Sequence, residues 1–209
     1  GDGIAGLIGH LAHEWVILTN LLCLLVGFAL LSKHFEDSKV PAVLPKYLPG
    51  EWKGAFVLLV MVFVLSSFLD NIAAAMIGGA MAHTVFRGKV HIGYLAAIVA
   101  ASNAGGAGSV VGDTTTTMMW IDGVSPVDVL HAYVAAVVAL VLFGIPAALQ
   151  QNKHSPLMAY EPGGAHVDWG RVGVVAFILV AAISTNVYIN LVHSEIADHF
   201  PFIGVAVAL

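Results

Sequence analysis

Charge is what this 209-residue sequence has least of. Lys and Arg together number 8, Asp and Glu 13, and charged residues make up 10% of the chain, against roughly 25% in a soluble domain. That shortage excludes a solvated surface. With 59% hydrophobic residues and a mean hydropathy of +0.91, the chain reads as an integral membrane protein whose first partner is the lipid bilayer. Cysteine is nearly absent as well: Cys23 stands alone inside an apolar run, so there is no disulfide framework and redox compartment is not encoded. The basic residues stand singly, which leaves no patch for nucleic acid. A basic n-region is missing ahead of the first apolar run, so a signal peptide is not expected. The sequence begins without Met and stops at Leu209 inside an apolar run, and a longer parent protein is the expectation.

What is present is a series of apolar stretches. After a Gly-rich start carrying His10, His13 and Glu14, whose order does not match the zinc-protease pattern, residues 15–32 form a first span without charge. Residues 33–54 are a polar connector with four lysines and the breakers Pro41, Pro45 and Pro49. Residues 55–86 would extend ~48 Å as one helix, too long for a ~30 Å hydrocarbon core, and Ser66, Ser67, Asp70 and Asn71 interrupt the middle. They read as a re-entrant hairpin. Residues 91–120 form a broken span that unwinds from Ser102 to Gly112 and resumes at Asp113, an N-cap for its second half. Further spans follow at 126–149, opened by Ser125 and Pro126, and at 169–192, with the start of another at 201–209.

Charge placement sets the topology. If 55–86 is a hairpin, all eight basic residues fall on one face, because 121–126 and 193–204 contain none. The positive-inside rule then makes loops 33–54, 87–90 and 150–171 cytoplasmic. The fold class expected is an all-α polytopic membrane protein.

Three groups of polar side chains lie within these apolar stretches. Ser66, Asp70 and Asn71 sit at the hairpin tip, where a carboxylate costs ~2.5–3.5 kcal/mol on insertion scales and so calls for a task. Asn103, Asp113, Thr114 and Thr115 present amide, carboxylate and hydroxyl oxygens at the broken helix, the donors that a hard cation takes. The glycines here are not a phosphate-binding loop, since no Gly-Lys-Ser/Thr follows. His83 and His131 are candidates for a proton relay or for packing.

The stretches Ser66-Ser67-Phe68-Leu69-Asp70-Asn71 and Ser102-Asn103-Ala104-Gly105-Gly106, continuing to Gly112-Asp113-Thr114-Thr115-Thr116, resemble the NhaD-type sodium/proton antiporters of the ion transporter superfamily, which also holds citrate, dicarboxylate and arsenite carriers. The resemblance implies an inverted-repeat transporter with an elevator-like motion, of which this chain carries one repeat and the start of the second. It implies that Ser66, Asp70, Asn71, Asn103, Asp113, Thr114 and Thr115 bind cation or exchange protons, with sodium at Asp70, Asn71, Asn103, Asp113 and Thr114. No cofactor is expected beyond sodium and protons, nor any enzymatic activity, and a homodimer and a bacterial inner-membrane location fit the family.

On this reading Asp70 and Asp113 share one site holding either sodium or protons. A bound cation expels protons, and protonation removes the charge that holds the cation. The alternative substrate is a small carboxylate such as citrate carried with sodium, against which a hairpin-tip Asp would act by repulsion. A remote alternative is a membrane scaffold or an intramembrane hydrolase using Ser66, His83 and Asp113, without a nucleophile-elbow pattern to support it.

Overall fold

The structure, a computed structural model, describes residues 3–158 and 163–192. Among these residues the chain is helix and turn, with no strand. Helix α1 (Gly3–Asp37) continues through residues that the sequence pattern assigns to the polar connector. The extra turn carries its own support, because Lys33 meets Glu36 at 3.3 Å and Asp37 at 3.2 Å, one turn ahead on the same face. The hydrogen bond between Lys33 and Asp37 holds the lysine pKa up and the aspartate pKa down. A short α2 (Val40–Val43) and a 3₁₀ turn (Leu44–Tyr47), each opened by a proline, lead onward.

Residues 55–86 are divided where the oxygen-bearing side chains fall. Helix α3 (Glu51–Ser66) ends, a turn carries the chain through Ser67–Asp70, and α4 (Asn71–Val85) returns against it. The second interrupted stretch becomes α5 (Ile92–Ala107) and α6 (Thr114–Ile121). Its break is shorter than the glycine pattern predicts: helix persists from Ser102 to Ala107, and only 108–113 leave it. Gly105 and Gly106 therefore act by being small. A Cβ on Gly105 would overlap the Phe63 carbonyl of α3, and one on Gly106 would overlap the Asn71 side chain.

Residues 126–149, expected as one span, are interrupted at His131. Helix α7 (Pro126–Leu130) is capped by Ser125, whose Oγ accepts from the Val127 amide at 3.2 Å, and α8 (Ala132–His154) continues beyond Leu149. Lys153 in the last turn of α8 has the charge sign that a helix C-terminus favours. Helix α9 spans Trp169–Val192. The segment 201–209 lies outside the described residues.

Helices α3 and α5 form the centre, with α4 and α8 packed on them, while α1 packs on α6 and α9. The buried interior combines aliphatic side chains, including Leu58, Leu59, Val62 and Ile98, with the rings of Trp120, Tyr94 and Phe86. One end of the bundle is tied by polar groups. Fully buried Gln151 accepts from the His91 amide at 2.7 Å and donates to the carbonyls of Lys89 at 3.0 Å and Ser155 at 3.2 Å. Beside it the Tyr94 hydroxyl donates to the Ala55 carbonyl at 2.5 Å, and its ring meets Phe86 edge-on.

The outside of α8 is apolar too: Val134, Val138, Leu142 and Phe143 are exposed. The helical stretch 126–154 is long and apolar enough to cross a membrane, and only 17% of its most apolar window is buried within the protein. A core helix of a water-soluble protein hides such a surface. This one turns it outward, as contact with lipid requires.

Candidate functional site

The two interrupted helices meet at their interruptions. Helix α3 ends at Ser66 and α5 at Ala107, while α4 and α6 begin at Asn71 and Thr114. Two carbonyl ends and two amide ends therefore converge, offering acceptors and positively polarised N–H groups in one small region. Hydroxyls join the breaks. Ser66, fully buried, has its Oγ 2.5 Å from the Ser102 carbonyl and 2.8 Å from Asn71 Oδ1. One hydroxyl proton faces two acceptors, so it serves one at a time. Ser67 Oγ stands 3.2 Å from both the Phe63 and the Gly105 carbonyls, and Tyr133 on α8 donates to Gly105 at 3.1 Å.

Asn71 is the hub. Its amide nitrogen donates to Asn103 Oδ1 at 3.3 Å and, by a very short bond, to Asp113 Oδ2. Asn103 is itself held by its Nδ2 donating to the Val99 carbonyl at 3.0 Å. The other oxygen of Asp113 is occupied in capping α6, accepting from the Thr115 amide at 2.7 Å and the Thr115 hydroxyl at 2.5 Å. The threonine run thus divides its work. Thr116 and Thr117 point their hydroxyls back to the Ser109 carbonyl at 2.5 Å and the Val110 carbonyl at 2.9 Å, within the non-helical segment, while Thr114 opens α6.

Asp70 stands apart from this cluster. Its Oδ1 caps α4, accepting from the amides of Ile72 at 2.8 Å and Ala73 at 3.3 Å. Its side chain lines a cavity of about 770 Å³ walled by α1, α2, the 3₁₀ turn and α4. Asp113 is not part of that wall. Asp70 and Asp113, expected from the sequence to share one site, thus lie in two neighbouring places, the N-cap and first residue of α4 engaging different partners. The structure brings Ser66, Asn71, Asn103, Asp113 and Thr115 into one hydrogen-bonded group.

His83 and His131 are both exposed, and neither bonds to that group among the described residues. His131 Nδ1 lies 3.2 Å from the Asp128 carbonyl at the α7–α8 turn. His83 lies far along α4, on the order of 18 Å from Asn71 at 1.5 Å per residue. Among the described residues no group of three or more His, Cys, Asp or Glu is placed to hold a metal ion. What the cluster offers is amide, carboxylate, hydroxyl and carbonyl oxygen, a donor set for a hard cation. The Ser102 carbonyl also belongs to it, and Tyr133 ties down the neighbouring Gly105 carbonyl. Nothing in the sequence near Tyr133 signals this, since its role depends on α8 lying across Gly105 and Gly108.

No family model matches the chain. It is similar to sodium/proton antiporter 2 of Arabidopsis thaliana, 31% identical over 130 residues that are 56% of this chain and 31% of that protein. It is 28% identical over 166 residues to sodium/proton antiporter 1 of the same plant, covering 74% of this chain and 27% of the relative. The Na(+)/H(+) antiporter NhaD of Alkalimonas amylolytica is 31% identical over 136 residues, 63% of this chain and 27% of that antiporter. The chain thus spans less than a third of each of these curated relatives, and it resembles the NhaD-type sodium/proton antiporters.

Proposed function

We propose that this chain is part of an integral membrane cation/proton antiporter of the NhaD type, and that it exchanges sodium for protons at the Asn71–Asn103–Asp113 cluster. The observation that carries this reading is the Asn71 amide lodged between Asp113 Oδ2 and Asn103 Oδ1. A positively polarised NH₂ group fills the space between two oxygens, the arrangement a small cation would take over if Asn71 swung aside. The three antiporters to which the chain is similar support the same reading.

Exchange follows from proton counting. Asp113 Oδ1 is already engaged by Thr115, which leaves Oδ2 for either a proton or a cation. A proton on Oδ2 would face the Asn71 NH₂, donor against donor, so protonation releases Asn71 as well as removing the charge. Cation and proton therefore exclude one another at one oxygen atom. In this reading α3–α4 is a re-entrant hairpin, the chain is one repeat of an inverted pair, and loops 33–54, 87–90 and 150–171 face the cytoplasm, as the one-sided distribution of Lys and Arg favours.

The test uses the full-length protein in everted vesicles with an imposed pH gradient, followed by a pH-sensitive dye. Sodium alone collapses the gradient in the wild type, and Asp113→Asn abolishes the response while membrane insertion is unchanged. A parallel sample receives citrate. Sodium-dependent citrate uptake without a response to sodium alone would overturn antiport in favour of a carboxylate carrier.

A further inference from the structure

The break between α5 and α6 turns on one carbonyl, that of Gly105. In a continued helix it would accept from the amide four residues on, that of Ser109. That amide donates to the Gly106 carbonyl at 3.1 Å instead. Gly105 is taken by hydroxyls from other elements, Tyr133 Oη of α8 at 3.1 Å and Ser67 Oγ of the α3–α4 turn at 3.2 Å. Ser67 has one proton to divide between Gly105 and the Phe63 carbonyl, also at 3.2 Å and one turn behind it. Half-buried Tyr133 gives its proton to Gly105 alone among the described residues.

The ring of Tyr133 is held at the same break. It lies against Gly108, where a Cβ would come within 2.5–2.6 Å of three ring atoms, and it packs on Phe63 of α3 with the ring centroids 5.7 Å apart. Past Gly108 the chain is tied to α6, because Thr116 Oγ1 donates to the Ser109 carbonyl at 2.5 Å and Thr117 Oγ1 to the Val110 carbonyl at 2.9 Å. Ser109 is thus linked to both halves. If its amide closed a further turn on Gly105, it would draw the start of α6 along with it. Asn103 stands on the α5 side of the break and Asp113 on the α6 side, with the Asn71 amide between their oxygens. A closed turn would therefore spoil that pairing.

We propose that Tyr133 is a positioning residue for the exchange site: by occupying the Gly105 carbonyl it keeps α5 unwound at Gly108, and so sets the separation of Asn103 and Asp113. It touches no ion itself. Its effect on sodium rests on the antiport reading, whereas its effect on the break does not.

Tyr133→Phe is the variant to make, since it keeps the ring against Gly108 and Phe63 and removes only the hydroxyl. In the full-length protein in everted vesicles, the half-saturating sodium concentration should rise about three- to fivefold, the factor of one hydrogen bond between uncharged groups, with the maximal rate little changed. The break itself is read with spin labels at Leu95→Cys and Met119→Cys, two exposed positions on either side of it, in a Cys23→Ala background. Tyr133→Phe should shorten the label distance by about 2–5 Å, as residues pass from about 3.3 Å of extended rise towards about 1.5 Å of helical rise. Gly108→Ala pushes the ring and its hydroxyl off Gly105, so it should raise the sodium requirement to a similar degree, and the double variant no further than either alone. Tyr133→Phe that lowers the melting temperature or the maximal rate, yet leaves the sodium requirement and the label distance as they were, makes Tyr133 ordinary packing and overturns the proposal. An unchanged distance, or additive effects in the double variant, overturns it as well. Should the wild type show no sodium/proton exchange, the antiport reading falls and the label distance still decides the role of Tyr133. Exchange that is normal in wild type and variant alike, with no change in distance, removes this proposal and leaves antiport standing.

Discussion

The two oxygens of Asp113 have separate duties, one tying down the start of α6 and the other facing Asn71. An asparagine there retains a capping oxygen and loses the charge, which is why Asp113→Asn is expected to stop exchange without unfolding α6. Asn71→Ala removes the group that bridges the breaks. Because sodium must displace that NH₂ group from Asp113, its removal should lower the half-saturating sodium concentration about tenfold or more, since hydrogen bonds to charged groups are worth about 1.5–3 kcal/mol, and sodium titration of the vesicle response measures it. Ser66→Ala affects the scaffold instead, costing about 1 kcal/mol for the lost link to the Ser102 carbonyl, read as a lower melting temperature in detergent. These residues were legible in the sequence because oxygen-bearing side chains are conspicuous inside apolar runs. The division between Asp70 and Asn71 was not, because the directions taken by two consecutive side chains depend on the cap geometry at the start of α4.

Among the elements, the glycines show where sequence reading and structure part. Helix-loosening and close packing leave the same residue in the sequence, and only the neighbour decides which applies. For Gly105 that neighbour is the backbone of α3, so Gly105→Ala should destabilise by about 1–3 kcal/mol through overpacking. Unfolding in detergent measures the loss, and Gly79→Ala, with open space around it, is the matched control. The helical character of the apolar stretches was legible from their length and composition. Their exact interruptions were not: the bend at His131 and the survival of α5 to Ala107 depend on caps and packing partners supplied from elsewhere in the chain.

For the whole molecule the open question of topology has a direct measurement. If α3 and α4 form a hairpin with its mouth on the basic face, cysteines introduced at Lys39, Lys89 and Lys153 are labelled from one side of the membrane and one at Asp122 from the other. A single crossing through 55–86 would instead separate Lys39 from Lys89. The bundle's tie at Gln151 makes a second prediction at this scale. Gln151→Leu strands the His91 amide and the Lys89 carbonyl, at about 1–3 kcal/mol for each buried group left unpaired, so the α4–α5 loop should become more accessible to protease while the distant cluster keeps its geometry.

The hydrogen bonds that build the cluster join residues at most 42 positions apart, from Asn71 to Asp113, and close over 36 positions from Ser66 to Ser102. At roughly 5–20 residues per second of synthesis, the whole set is made within about 2–10 s. Every side chain of that set has therefore left the ribosome's catalytic centre before α8 is complete. A nascent chain arrested shortly after α6 has cleared the exit tunnel already contains the Asn71–Asp113 bond in potential, and a cross-link between those two positions would date the assembly of the site to an early moment of the protein's biogenesis.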